Sequence, residues 1–161
     1  MTTAPVRPVT AAVAVHAPVW ATVGSLLAAG AGLCVSTYLT VAHYTATVAL
    51  VCPQSATVNC EKVTTSAQSQ VAGIPVAVLG VAYFVAMVVL CSPWAWRASS
   101  PSVRWARAMG ALCGVGFVAW LVYAELFVID AICLWCTSVH VLALVLFCFV
   151  ALGTAGRGDR Y

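Results

Sequence analysis

Apolar positions run along this chain in four long stretches separated by short polar segments. The first covers residues 18–43, and no charged residue stands between Arg7 and Glu61. The second opens at Gly73-Ile74-Pro75 and continues to about residue 92, with Pro75 suited to a first helical turn, where its missing N–H costs nothing. The third covers residues 103–124, and the fourth opens at Cys133 and ends near Leu152. A helix needs about 20 apolar residues to cross the hydrocarbon layer, so each stretch reads as a transmembrane helix. Gly24, Ala28 and Gly32 recur at four-residue intervals, and Gly110 and Gly114 repeat the spacing. Such small-residue rows let neighbouring helices approach closely. Residues 1–17, which hold Pro5, Pro8 and Arg7, read as a loose tail, and residues 153–161 as a second one. The run after the first tail is longer than the apolar part of a signal peptide and further spans follow, so it is expected to be retained. The predicted fold is an all-α membrane protein, an antiparallel bundle of four transmembrane helices with a polar loop, carrying a short helix, between the first and second.

Composition agrees with this pattern. Of the 161 residues, 63% are hydrophobic and 7% charged, against about 25% charged in an ordinary soluble domain. The net charge of +3 comes from few groups and forms no basic patch with interleaved aromatics, so nucleic acid is not an expected partner. Charge placement orients the bundle. Arg7, Arg97, Arg104, Arg107, Arg157 and Arg160 all fall on one side of the predicted spans, whereas Lys62, Glu61, Glu125 and Asp130 fall on the other. The positive-inside rule then places both termini in the cytoplasm and the two remaining loops outside.

That orientation sorts the eight cysteines. Cys52 and Cys60 lie in the first outer loop, and Cys133-Leu-Trp-Cys136 stands at the outer end of the last helix. Both pairs face the compartment in which disulfides persist. Two cysteines three apart at a helix start share one face, and the unpaired N–H groups there favour thiolate over thiol. Two dithiol pairs on one face can exchange by thiolate attack through a mixed disulfide, passing two electrons at each step. The loop pair, flanked by Pro53, Gln54, Ser55 and Asn59, is placed to meet another protein, and the second pair something lipid-soluble. A quinone is the natural lipid-soluble two-electron acceptor. Cys34, Cys91, Cys113 and Cys148 fall inside predicted spans and read as packing residues. A metal site is the other reading of four clustered cysteines. Structural zinc sites use closer pairs than Cys52 and Cys60, so no metal is expected. Thr137 rather than His follows Cys136, which excludes c-type haem attachment.

The run Cys52-x₇-Cys60-Glu61-Lys62-Val63, then Ser66, Gly73-Ile74-Pro75, Gly80 and Tyr83, resembles the vitamin K epoxide reductase family. So does ELFVIDAICLWC at the head of the last helix, and the likeness covers nearly all of residues 20–152. It implies a four-helix bundle around a quinone, menaquinone or ubiquinone, with the outer loop as a partial lid. It further implies that Cys52 meets the dithiol of a thioredoxin-fold partner, that Cys60 passes electrons to Cys133, and that Cys136 faces the quinone. Ser66 matches a Ser/Thr position that the family uses near the quinone or the loop helix. The Ala/Val-rich chain is closer to bacterial members, which oxidise an extracytoplasmic thioredoxin-fold protein at the cell membrane and so support disulfide formation in secreted proteins.

Expected quinone contacts are Ser66, Val76, Leu79, Gly80, Tyr83, Trp120, Tyr123 and His140. His140 follows Cys136 by four residues and Cys133 by seven, on one helical stripe, where it could hydrogen-bond a carbonyl or supply a proton. The competing view is a His bonded to backbone in a packed bundle. Trp20, Trp94, Trp96 and Trp105 read as interfacial anchors, and Glu125 and Asp130 as solvated loop carboxylates, with a role in relaying protons as the less favoured alternative. Two other functions remain open at this point: reduction of a quinone epoxide, and a non-catalytic scaffold held by one structural disulfide.

Overall fold

A computed structural model describes residues 18–45, 50–53, 55 and 57–158, without the side chains of 157 and 158. The loose tail expected at 1–17 therefore lies outside the described residues, together with Arg7 and Arg160.

The chain enters through α1 (Val19–Tyr44), held at its start by amides 21 and 22 on the Pro18 carbonyl. The outer loop follows. It carries α2 (Cys60–Thr64), a 3₁₀ turn (Ala67–Ser69) and a small hairpin of β1 (Gln70–Val71) and β2 (Ile74–Pro75). Its two-residue turn has positive φ at Ala72 (52°) and Gly73 (80°), as the twist of a tight hairpin demands. Then come α3 (Val76–Leu90), the short α4 (Pro93–Arg97), α5 (Pro101–Tyr123) and α6 (Leu134–Gly158). A π-helical turn, Ala124–Ile129, prolongs α5 and ends where Asp130 adopts the left-handed conformation.

The four long helices close a ring in which α1 packs on α3 and α6, and α5 on α6 and α3. Small residues allow this closeness. A Cβ at Gly32 would overlap the Phe84 ring, and one at Gly114 would overlap Tyr83. A Cβ at Gly24 would come within 2.5 Å of Phe149. The small-residue rows thus seat side chains of this same chain. Phe84, Met87, Ala111, Val118, Ala143, Leu146 and Val150 fill the centre.

Three helices are long and apolar enough to cross a membrane, over Val19–Tyr44, Pro101–Ile129 and Leu134–Gly156. The second predicted span is corrected. Gly73-Ile74-Pro75 belong to the hairpin, so α3 has only 15 residues, about 22 Å at 1.5 Å each against a hydrocarbon layer of about 30 Å. The predicted end of the last helix is corrected too. α6 continues past Leu152 to Gly158, because nothing in Gly153-Thr154-Ala155-Gly156 stops a helix whose Thr154 hydroxyl bonds back to the Val150 carbonyl at 2.7 Å.

At the end of the bundle away from the outer loop, one further expectation fails. Trp96 is buried, and Nε1 donates to Ser25 Oγ at 3.3 Å. Arg107 is also buried, its guanidinium 3.6 Å over the Trp96 ring and donating to the carbonyls of Leu90 (3.3 Å) and Ala95 (3.4 Å). Arg107 therefore closes the C-terminal end of α3, where carbonyls lack helical partners. Trp20, Trp94 and Trp105 are exposed. Of the four cysteines assigned to packing, only Cys91 is buried in the core; Cys34, Cys113 and Cys148 are exposed on helix surfaces.

Candidate redox site

The outer loop brings its cysteines to α6 by backbone pairing that the sequence does not advertise. Ile132 N–H donates to the Thr57 carbonyl at 2.9 Å, and Asn59 N–H to the Ile132 carbonyl at 3.1 Å, a parallel bridge between Val58 and Ile132. Lys62 Nζ adds a bond to the Asp130 carbonyl at 3.3 Å. Trp135 reaches back from α6, donating from Nε1 to the Val51 carbonyl at 3.0 Å and packing on the Tyr38 ring. Asn59 caps α2 by accepting from Lys62 N–H at 2.9 Å, which fixes Cys60 as the first helical residue.

Cys60 and Cys133 consequently share one buried cluster with Val63, Ile129 and Ala131, with Cys52 and Cys136 packed against it. Cys52 and Cys60 form a disulfide, Cα–Cα 6.3 Å, while Cys133 and Cys136 are free thiols. Cys133 precedes α6 directly, and its Sγ accepts the Cys136 N–H at 3.4 Å, so the sulfur itself caps the helix. The Cys136 thiol, and the amides of residues 136 and 135 at the helix start, hold the Cys133 thiol below its ordinary range.

Beside this cluster opens a cavity of about 1040 Å³, larger than most small-molecule sites. Cys52, Cys60 and Cys136 are on its wall, and Cys133 stands behind them. Of the expected quinone contacts, Ser66, Val76, Leu79, Gly80, Tyr83 and His140 line it. Trp120 and Tyr123 do not, which corrects that expectation. Both are exposed; the Tyr123 ring stacks on Phe127, and the Trp120 ring packs tilted against Phe117. Helical phase explains this: Gly114, Phe117, Val118, Leu121 and Glu125 take the inner face, and residues 120 and 123 turn away.

Glu125 is the second correction. It is 6% exposed and on the cavity wall, because the π-helical turn carries the helix beyond residue 124 and keeps it at the bundle. The backbone N–H of Cys133 points at its carboxylate. Asp130 is exposed, as expected. Sequence reasoning also missed Ser36. Its hydroxyl and that of Tyr83 are buried on the cavity wall without a hydrogen-bond partner among the described residues. A largely apolar cavity with unpartnered hydroxyls suits a flat apolar molecule with carbonyl oxygens. No group of three or more metal-ligating side chains occurs among the described residues.

A sequence model of the vitamin K epoxide reductase family matches residues 24–151, most of the chain. No curated protein matches it.

Proposed function

The chain belongs to the vitamin K epoxide reductase family, and from that premise we propose that it is a thiol oxidase that carries electrons from a thioredoxin-fold protein to a membrane quinone. The observation that carries this reading is the single cluster holding the Cys52–Cys60 disulfide and the Cys133 and Cys136 thiols beside an apolar cavity.

The sequence of steps follows from thiol chemistry. A partner dithiol attacks the half-exposed Cys52 and leaves as a disulfide, which opens Cys52–Cys60 to two thiols. Cys60 then attacks a Cys133–Cys136 disulfide at Cys133, its neighbour in the cluster, and Cys52 closes again on Cys60. A Cys52–Cys60 disulfide beside free Cys133 and Cys136 supports this order of exchange. Cys133 and Cys136 re-form their disulfide by giving two electrons and two protons to the quinone. Of this pair, Cys136 is the one on the cavity wall, so it is the one that meets the acceptor. Val76, Leu79 and Gly80 supply apolar contact, and Tyr83, Ser36, Ser66 and His140 supply polar groups for the carbonyls.

The arginines of the α3–α5 connection support a cytoplasmic placement of that end, with both termini beside it and the sulfurs outside. Composition supports a bacterial cell membrane. Replacement of single cysteines tests the relay. Cys52→Ala should block oxidation of a reduced thioredoxin-fold partner and leave quinone reduction by dithiothreitol largely intact, whereas Cys136→Ala should abolish both. Identical behaviour of the two variants with dithiothreitol would sink the relay.

A further inference from the structure

We propose that Glu125 carries the proton between the Cys133–Cys136 pair and the quinone, a role that rests on the function proposed above. Its position argues for this. Glu125 is 6% exposed inside an apolar bundle, on the wall of the cavity that also holds Cys136 and His140. A carboxyl in such surroundings is costly, and one that opens onto a reaction cavity is by default a functional group. Glu125 forms no salt bridge among the described residues, and the Cys133 amide is directed at its carboxylate. The π-helical turn is what brings it there. The fifth-residue step, in which Asp130 N–H bonds to the Glu125 carbonyl, widens the helix at the point where it meets α6.

The chemistry needs such a group. Forming Cys133–Cys136 breaks two bonds from hydrogen to sulfur and makes one S–S bond, and the electron pair goes to the quinone. Cys133, a helix-capping sulfur, gives its proton to water. Cys136 faces the cavity, whose wall also carries Glu125. Glu125 takes the Cys136 proton as Cys133 Sγ closes on Cys136 Sγ, and passes it to one quinone oxygen; the other oxygen takes a proton from water. Two protons leave the thiols and two reach the acceptor. The remaining titratable groups facing the cavity are His43 from α1, Glu61 from α2, Tyr83 from α3, Cys113 from α5 and His140 from α6. Among these, only His140 is buried and also lies on the helix of the CxxC.

A merely structural Glu125 would hold the start of α6 through the Cys133 amide, and Gln can do the same. The test is therefore Glu125→Gln in full-length protein in detergent, with dithiothreitol as donor and short-tail ubiquinone and menaquinone as acceptors. Glu125→Gln should slow quinone reduction about 100-fold, as expected for loss of a general acid–base group. It should leave thiol exchange between Cys60 and the Cys133–Cys136 disulfide unchanged, and Glu125→Asp should recover most of the loss. A second readout needs no quinone: infrared difference spectra on opening Cys133–Cys136 with dithiothreitol should show a carboxyl C=O band that Glu125→Gln removes. Wild-type rates in Glu125→Gln, or an equal loss in both steps, would overturn the proposal. Should wild-type protein itself reduce neither quinone, the thiol-oxidase reading fails; the infrared band then still decides whether Glu125 exchanges a proton with the sulfurs.

Discussion

Arg107 and Glu125 stand at opposite ends of one long helix, and both are buried in an apolar bundle, yet they are handled differently. The Arg107 guanidinium is 0% exposed, lies over Trp96 and donates to two carbonyls that end α3 and α4. These partners lie at the α3–α4 end of the bundle, and Arg107 is not among the residues that line the cavity. Glu125 opens onto that cavity, next to two thiols and a histidine. A buried ionic group sealed by its neighbours serves the fold. One left facing a space that a ligand can enter serves chemistry, because only there can a change in its proton be used.

Substitutions at the two ends should separate along that line. The largest effect is expected at the sulfur end: Cys133→Ala should lower quinone reduction on the order of 10⁴-fold or more, with the melting temperature in detergent little changed. A large loss of stability in this variant would show that the sulfur end is structural as well. Arg107→Ala should do the reverse. It leaves the Leu90 and Ala95 carbonyls without their donor and the Trp96 ring uncovered, a cost of about 3 kcal/mol read by thermal melting, while turnover of the folded fraction stays normal. Gly32→Ala sits between the two ends. Its Cβ would displace Phe84 from the floor of the bundle, costing about 1–3 kcal/mol in melting experiments and weakening quinone binding, since Phe84 also lines the cavity.

Smaller effects sharpen the sulfur end alone. Asn59→Ala removes the cap of α2, costing about 1 kcal/mol, and should slow Cys60-to-Cys133 exchange measured by stopped-flow while quinone reduction by dithiothreitol holds. Cys136→Ala removes the thiol that most strongly lowers the Cys133 titration. The charged form of Cys133 then loses a hydrogen-bond donor, so its titration should move upward, visible as a higher pH midpoint for Cys133 alkylation in reduced protein. A midpoint that falls would mean the helix start, not the neighbouring thiol, controls the sulfur.

Much of this was legible in the residues. Uncharged stretches longer than a bilayer needs can lie nowhere but in lipid, so the membrane class and three of the four helices followed from hydropathy alone. Cys133 and Cys136 could be read as a helix-start dithiol because the polar-to-apolar change falls at residue 133. The second predicted span was overestimated since Gly73-Ile74-Pro75 suits a helix start and a hairpin equally well, and only pairing with Gln70–Val71 selects the hairpin. Trp120 and Tyr123 were misplaced because a helix apolar on every side carries no signal of which face is inner. The same blindness hid Ser36.

What the sequence alone determined is the solvent, the helix count to within one short element, and which sulfurs fall on one surface, because these depend on local composition and on charge. What the tertiary structure decided is which groups meet. The Val58–Ile132 bridge sets Cys60 against Cys133, and the π-helical turn moves Glu125 from an expected loop to a cavity wall. Both are long-range backbone choices settled by packing across the bundle, and no window of neighbouring residues contains the partners that settle them.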